Sequence, residues 1–227
     1  MKKKNNTTLS KDKPAIIFAK GSLPRFQLIQ RYLKNAGIII CADGGADALV
    51  HTSIRPDVII GDLDSITPET LQYFKSSIIQ YLPSQEITDL QKALEYVEHL
   101  EIKQAIIFGA TGGTRIDHLL GNIALIELFK NRIDIEMIDE WCSIKLVHKQ
   151  ITVTGIPGQI ISLWSFSDET TGIVTTGLRY PLHNETMVRG THGISNEFET
   201  NTASISVQKG DLMVIVQHPE LLSKKER

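Results

Sequence analysis

The feature that most narrows the possible folds is an alternation that runs through roughly the first 140 residues and then stops. Short β-branched runs, AIIFA (15–19), IIICA (38–42), DVIIG (57–61), SIIQYL (77–82), QAIIFG (104–109) and IDIEMI (133–138), read as strands. Four of them carry no polar alternation, the mark of strands buried on both faces of a parallel sheet covered by helices. Between the runs lie PRFQLIQRYLKNAG, TPETLQYFKS, TDLQKALEYVEHL and TRIDHLLGNIALIELFKN, all helical in pattern. In the third, Leu90, Ala93, Leu94, Val97 and Leu100 share one face, and Thr88 with Gln91 reads as a T-x-x-Q capping box. An α/β domain over 14–140 follows.

Past it the helical period is gone. SIKLVH, QITVTG, QIISLWSF, GIVTTGLRY, ASISVQ and DLMVIVQ are alternating or β-branched runs, closely spaced and separated by Gly, Pro, Asp and Asn. That spacing predicts an antiparallel sandwich or barrel over 141–220. The polar start (1–13) reads as a flexible leader and 221–227 as a polar tail. The first apolar run is too short for a signal sequence or a membrane span, and the net charge of −2 offers no footprint for nucleic acid or an anionic membrane. Cys41 and Cys142 suggest neither a disulfide framework nor a zinc site. The expectation is a cytoplasmic protein without nucleic-acid or membrane partners. Trp141 and Trp164 read as core aromatics.

Open parallel sheets bind ligands at the carboxyl ends of their strands. Asp43-Gly44-Gly45 follows the second strand here, and Gly61-Asp62-Leu63-Asp64-Ser65 the third. Gln85-Glu86-Ile87-Thr88-Asp89 lies past the fourth, and Gly109-Ala-Thr-Gly112-Gly113-Thr-Arg115 follows the fifth, leading into Asp117-His118. In extended chain Asp62 and Asp64 point the same way, so either they form a solvated turn or they hold a cation such as Mg²⁺. Asp89 has a plainer reading as a helix-start acid, and Asp43 as a capping residue. The glycine cluster at 109–113 is neither a P-loop nor a dinucleotide fingerprint. Arg115, His118 and Asn122 fall within roughly 60° on the following helix and read as a polar stripe beside Ile116, Leu119, Leu120 and Ile123. An Arg at a helix start is misplaced unless an anion is near. Together these features describe a polyphosphate site for phosphoryl or pyrophosphoryl transfer. The residues alone do not name the acceptor.

ADGGA (42–46), PDVIIGDLDS (56–65), TDLQKAL (88–94) and GATGGTRIDHLLGNIALI (109–126) resemble, in order, the motifs of thiamine pyrophosphokinases. TTGLRYPL (175–182), GISNEF (193–198) and VQKGDLMVIV (207–216) extend the likeness through the β-rich part. The resemblance implies a mostly parallel, Rossmann-like sheet with flanking helices, then an antiparallel β-sandwich, in a homodimer with the thiamine site near the subunit interface. It implies transfer of pyrophosphate from ATP to the hydroxyethyl group of thiamine, giving thiamine diphosphate and AMP. Carried over by motif, Asp62, Asp64 and Asp89 are expected to bind Mg²⁺. Asp43, Gly44, Gln85, Thr88, Gly112, Gly113 and Arg115 are expected at the ATP polyphosphate, with Asp117 beside them in the catalytic set. Ser195 and Asn196 are expected to contact thiamine. Glu86 stands where many bacterial members have Asp. The motif includes His118, expected to pack or to sit behind the ligand contacts, and Tyr180 has no assigned role. Rival readings are a pyrophosphokinase for a pterin alcohol, a thiamine or nucleotide sensor, and an Asp-nucleophile phosphatase. GISNEF with GLRYPL argues against the pterin acceptor, and the full acid set against a sensor.

Overall fold

A computed structural model describes residues 10–219. Most of the expected leader (1–9) and all of the expected 221–227 tail lie outside the described residues. The chain forms two compact units, divided between Ile135 and Glu136.

In the first unit the apolar runs become β1 (Ala15–Phe18), β2 (Ile38–Ala42), β3 (Val58–Gly61), β4 (Ile78–Tyr81) and β5 (Gln104–Phe108). They pair in parallel in the order β5-β1-β2-β3-β4. β1 is central because Ala15, Ile16, Ile17 and Phe18 are all fully buried, which suits a strand covered on both faces. β4 ends the order, and Ile78, Ile79 and Tyr81 are correspondingly exposed. The strand order reverses between β1 and β5, which opens a crevice at their carboxyl ends.

The helices are α1 (Phe26–Leu33), α2 (Pro68–Tyr73), α3 (Asp89–His99) and α4 (Ile116–Leu128). α2 begins as its sequence asks: Pro68 opens it, and the Thr67 side chain accepts from Thr70 N–H. α3 buries the expected Leu90, Ala93, Leu94 and Val97. Its capping box forms only by half. Thr88 Oγ1 accepts from Gln91 N–H at 3.4 Å, but the Gln91 amide donates to Glu95 one turn later instead of returning to the cap. An i,i+4 acid offers that amide a closer partner than the Thr88 backbone does.

α4 departs from its reading. Ile116 and Leu120 are 71% and 64% exposed, whereas Asn122, expected on a solvated stripe, is buried. Asn122 is held inside by donating from Nδ2 to Ala110 O at 2.7 Å, which ties α4 to the loop after β5. Helical period alone cannot say which face a helix turns inward when both polar and apolar stripes are present.

β6 (Asp134–Ile138) leads into the second unit and pairs antiparallel with β7 (Cys142–Val147). β8 (Gln150–Thr154), β9 (Ile160–Ser165), β10 (Glu169–Thr176), β13 (Thr202–Ser206) and β14 (Leu212–Gln217) match the predicted runs. β11 (His183–Val188) and the two-residue β12 (Asn196–Glu197) had no hydrophobic signal. β12-β9-β14-β7 run antiparallel on one side and β11-β10-β13-β8 on the other. Ile161, Leu163 and Val214 of one side meet Ile173, Met187 and Ile205 of the other in a single core. This is the sandwich that the strand spacing implied. Trp141 is 56% exposed and so is not the core aromatic expected of it, while Trp164 is half-buried with its ring edge-on to Phe166.

Candidate functional site

The strand ends of the first unit converge on a carboxylate cluster. Asp43 opens a 3-10 helix (Asp43–Leu49) directly after β2, with a left-handed φ of 42°. Its Oδ2 accepts from Ser65 N–H at 3.0 Å, so it clamps the loop after β3 and does not cap its own helix. Gly44 N–H donates to Ser65 Oγ at 3.2 Å, and Lys20 Nζ to Ser65 O at 3.2 Å. The Asp43 residue is 1% exposed, and its Oδ1 has no hydrogen-bond partner. A buried carboxylate oxygen left unpaired is costly, which singles out this atom as a ligand donor.

Asp62 and Asp64 flank Leu63, which takes φ 61°. Asp62 Oδ1 accepts from Asp64 N–H at 3.2 Å, and its Oδ2 accepts from the Gln85 amide. Ligand atoms of Asp43, Asp62 and Asp64 all lie within 4.8 Å of one another, and among the described residues they are the group of acids, histidines or cysteines spaced to share a cation. The charge on Asp62 is the main reason that Asp64 titrates above its ordinary value, with desolvation, a hydrogen bond that protonated Asp64 donates to Asp62, and the charges of Asp43 and Asp89 adding to it. Desolvation pushes Asp62 up. It is outweighed by the Asp64 backbone N–H, the charge of Lys92 and the Gln85 amide, which leave Asp62 below its ordinary value. Three hard oxygen donors in mutual repulsion fit a divalent cation such as Mg²⁺ or Mn²⁺.

Asp89, at the first turn of α3, also approaches Gly61 and pairs through Oδ1 with Lys92 Nζ at 2.8 Å. Lys92 is 3% exposed, a buried cation within a cluster of acids. Nothing in the sequence marks it, because a lysine in a helical run is ordinarily solvated. Lys20 stands just after β1, a strand end whose short polar stretch carries no acid or glycine pair to mark it. The strand-end rule itself would have found it.

The loop after β5 brings Gly112 and Gly113 into left-handed conformations, φ 78° and 99°, with open space around Gly113. Arg115 then begins α4 without capping it. Its guanidinium donates through Nε to Asp117 Oδ1 at 2.8 Å and also reaches Oδ2, forming a planar fork. Those bonds are the main reason that the Asp117 carboxyl lies well below the usual range. Thr88 serves the α3 cap, and His118 is exposed, which speaks against a packing role and leaves the expected place behind the ligand contacts open. Burial pushes the thiols of Cys41 and Cys142 up, the latter to about 12, so neither has the character of a nucleophile.

The second unit holds a pocket of about 160 Å³ lined by Leu163, Tyr180, Leu182, His192, Ile194 and Asn196, together with Gly193. Ser195 takes φ 62°, and its N–H donates to Ser162 Oγ at 3.0 Å. Asn196 is buried, and its amide binds the backbone of Tyr180 on both sides.

One chain thus carries a parallel-sheet unit with an acidic strand-end cluster and a β-sandwich with its own pocket. The chain belongs to the thiamine pyrophosphokinase family. Residues 29–137 match the model of the thiamin pyrophosphokinase catalytic domain, and 143–212 that of its vitamin B1 binding domain. Thiamine pyrophosphokinase 1 of Oryza sativa subsp. japonica is 32% identical over 228 residues, covering 85% of this chain and 83% of that protein. Thiamine pyrophosphokinase of Bacillus subtilis (strain 168) is 32% identical over 191 residues, covering 78% and 85%. The crystal structure of the Bacillus subtilis thiamine pyrophosphokinase superposes with a TM-score of 0.80 at 29% identity, covering 90% of this chain and 99% of that one.

Proposed function

We propose that this chain is an ATP-dependent thiamine diphosphokinase, moving the pyrophosphate of ATP to the hydroxyethyl oxygen of thiamine and releasing AMP. The observation that carries the chemistry is the buried carboxylate of Asp43, its Oδ1 unpartnered, grouped with those of Asp62 and Asp64. The match of 143–212 to a vitamin B1 binding domain favours thiamine over a pterin alcohol. The 14–140 segment is assigned to ATP and metal, and 141–220 to thiamine.

Asp43, Asp62 and Asp64 would hold Mg²⁺, with Asp89 completing the acidic set while paired to Lys92. When bound, the ion neutralises phosphate charge and orients the polyphosphate. The chain's own groups do the rest. Gly112 and Gly113 allow phosphate oxygens to approach the backbone, Gly44 makes room for Lys20 and Ser65 beside the same site, and Gln85 and Thr88 border the same edge. Arg115, held as a fork by Asp117, faces the charge that builds up on the phosphates. The thiamine hydroxyl oxygen bonds to the β-phosphorus while the bond from that phosphorus to the α,β-bridging oxygen breaks; AMP departs, and the hydroxyl proton passes to a carboxylate of the site or to solvent. Ser195 and the pocket beside Asn196 would hold thiamine, in a homodimer. No helix among the described residues is long and apolar enough to cross a membrane, and a cytoplasmic location is part of this reading.

Phosphorus NMR of the protein with ATP, Mg²⁺ and thiamine tests it. Thiamine-dependent formation of AMP and thiamine diphosphate is the expected result. ADP with thiamine monophosphate would overturn the reaction type, and products independent of thiamine would overturn the acceptor.

A further inference from the structure

Asn196 lines the pocket of the second unit, yet its side chain is already committed elsewhere. Its Oδ1 accepts from Tyr180 N–H at 3.1 Å and from Glu197 N–H at 2.8 Å, and its Nδ2 donates to Tyr180 O at 2.7 Å. An asparagine offers two donor hydrogens and two acceptor lone pairs, so three of the four are spent. The residue is 5% exposed.

The register explains the arrangement. Leu178 bridges Phe198 antiparallel, and Arg179 N–H donates to Glu197 O at 2.9 Å, so Tyr180 is the residue that comes opposite Asn196. There the backbone ladder is replaced by a side chain: the amide reproduces both the donor and the acceptor of a missing strand partner. Pro181 follows, has no N–H, and cannot continue the pairing. The Asn196 amide therefore holds the backbone at the point where Tyr180 leaves the sheet. Tyr180 is 58% exposed and lines the pocket, with the Arg179 guanidinium 5.6 Å from its ring centroid and Arg179 itself paired to Glu197 at 2.9 Å.

We infer that Asn196 is a positioning residue for Tyr180, whose ring forms the wall against which a flat heteroaromatic ligand is selected. The role rests on the assignment of thiamine to this pocket. It differs from direct recognition of the ligand by the asparagine.

A double-mutant cycle read by calorimetry separates the two. Tyr180→Ala and Asn196→Ala should each weaken thiamine binding by about tenfold, the scale of one lost aromatic contact. The double variant should lose no more than either alone, and ATP affinity should stay unchanged throughout. Losses that multiply to about a hundredfold would mean independent contacts and overturn the positioning role. Amide hydrogen exchange of the wild-type protein gives a second reading that needs no variant. The Tyr180 N–H should be protected before thiamine is added, and rapid exchange there would overturn the clamp. If the wild type binds ATP but not thiamine, the functional reading fails and this role fails with it.

Discussion

A Cβ at Gly61 would stand 2.8 Å from Asp43 Cβ and 3.0 Å from Asp89 Oδ1. Two acids from different strand ends thus close on one glycine, and the absence of a side chain there is what lets them share an edge. Gly61→Ala should displace Asp43, whose Cβ has no freedom to swing away. We expect weaker divalent-cation binding by calorimetry and turnover reduced about tenfold or more, the scale of a small misplacement of reacting groups. Wild-type cation affinity in a folded variant would show that the close approach is not needed.

Asp43→Asn, Asp62→Asn and Asp64→Asn should each lower turnover by about a hundredfold or more with the fold intact. Without divalent cation, Asp64→Asn should melt no lower than the wild type, because the repulsion from Asp62 is relieved. Added Mg²⁺ should raise the wild-type melting temperature and leave the variants unmoved. Equal shifts in all four proteins would place the ion elsewhere.

The Arg115–Asp117 fork has a pH signature. Arg115 holds the Asp117 carboxyl below its ordinary value of 3.8, so the folded chain binds that proton less tightly than the unfolded one. The pair's contribution is present above that value and is lost as pH falls through and below it. The stability gap between wild type and Asp117→Asn in urea should be largest near neutrality, small because the pair is exposed, and should close in acid and in high salt. Arg115→Lys should lower turnover about tenfold or more, since an ammonium cannot keep the planar fork.

Asn122→Ala removes the donor that satisfies Ala110 O inside the protein. A loss of about 1–3 kcal/mol in denaturant unfolding is expected. A neutral substitution would show that the loop after β5 is held without it.

Homodimer formation has a direct consequence if thiamine binds near the subunit interface. Dilution through the dimer–monomer transition, followed by sedimentation, should abolish activity in parallel with dissociation. A fully active monomer would contradict the shared site.

The strand ends show how far local reading reaches. Gly61, Asp62 and Asp64 were legible because an apolar run that stops at a glycine and two acids has few meanings. Asp43 is legible as a strand-end acid or a capping residue, but nothing in ADGGA says that its carboxylate will accept from Ser65, 22 residues away. The polar stripe on α4 was misread because a 3.6-residue period is indifferent to which stripe the sheet covers, and the hydrogen bond from Asn122 to Ala110 decided it. β11 was missed because HNETMV owes its place to pairing with β10, with only Met187 buried deeply.

The sequence by itself determined the order of strands and helices, the change from a helical to a purely β pattern near residue 140, and the ends at which polar groups gather. These are properties of neighbours along the chain, set by backbone periodicity and by residues that break it. Only the tertiary structure decided that Asp43 joins Asp62 and Asp64, that Lys92 is buried against Asp89, and that Asn196 serves Tyr180. The first and last of these join residues far apart along the chain, brought opposite one another by strand order and register. Lys92 lies only three residues from Asp89, but its burial depends on what α3 packs against. In each case the side chain takes the partner that the packed sheet presents, because a buried polar group left without one is costly.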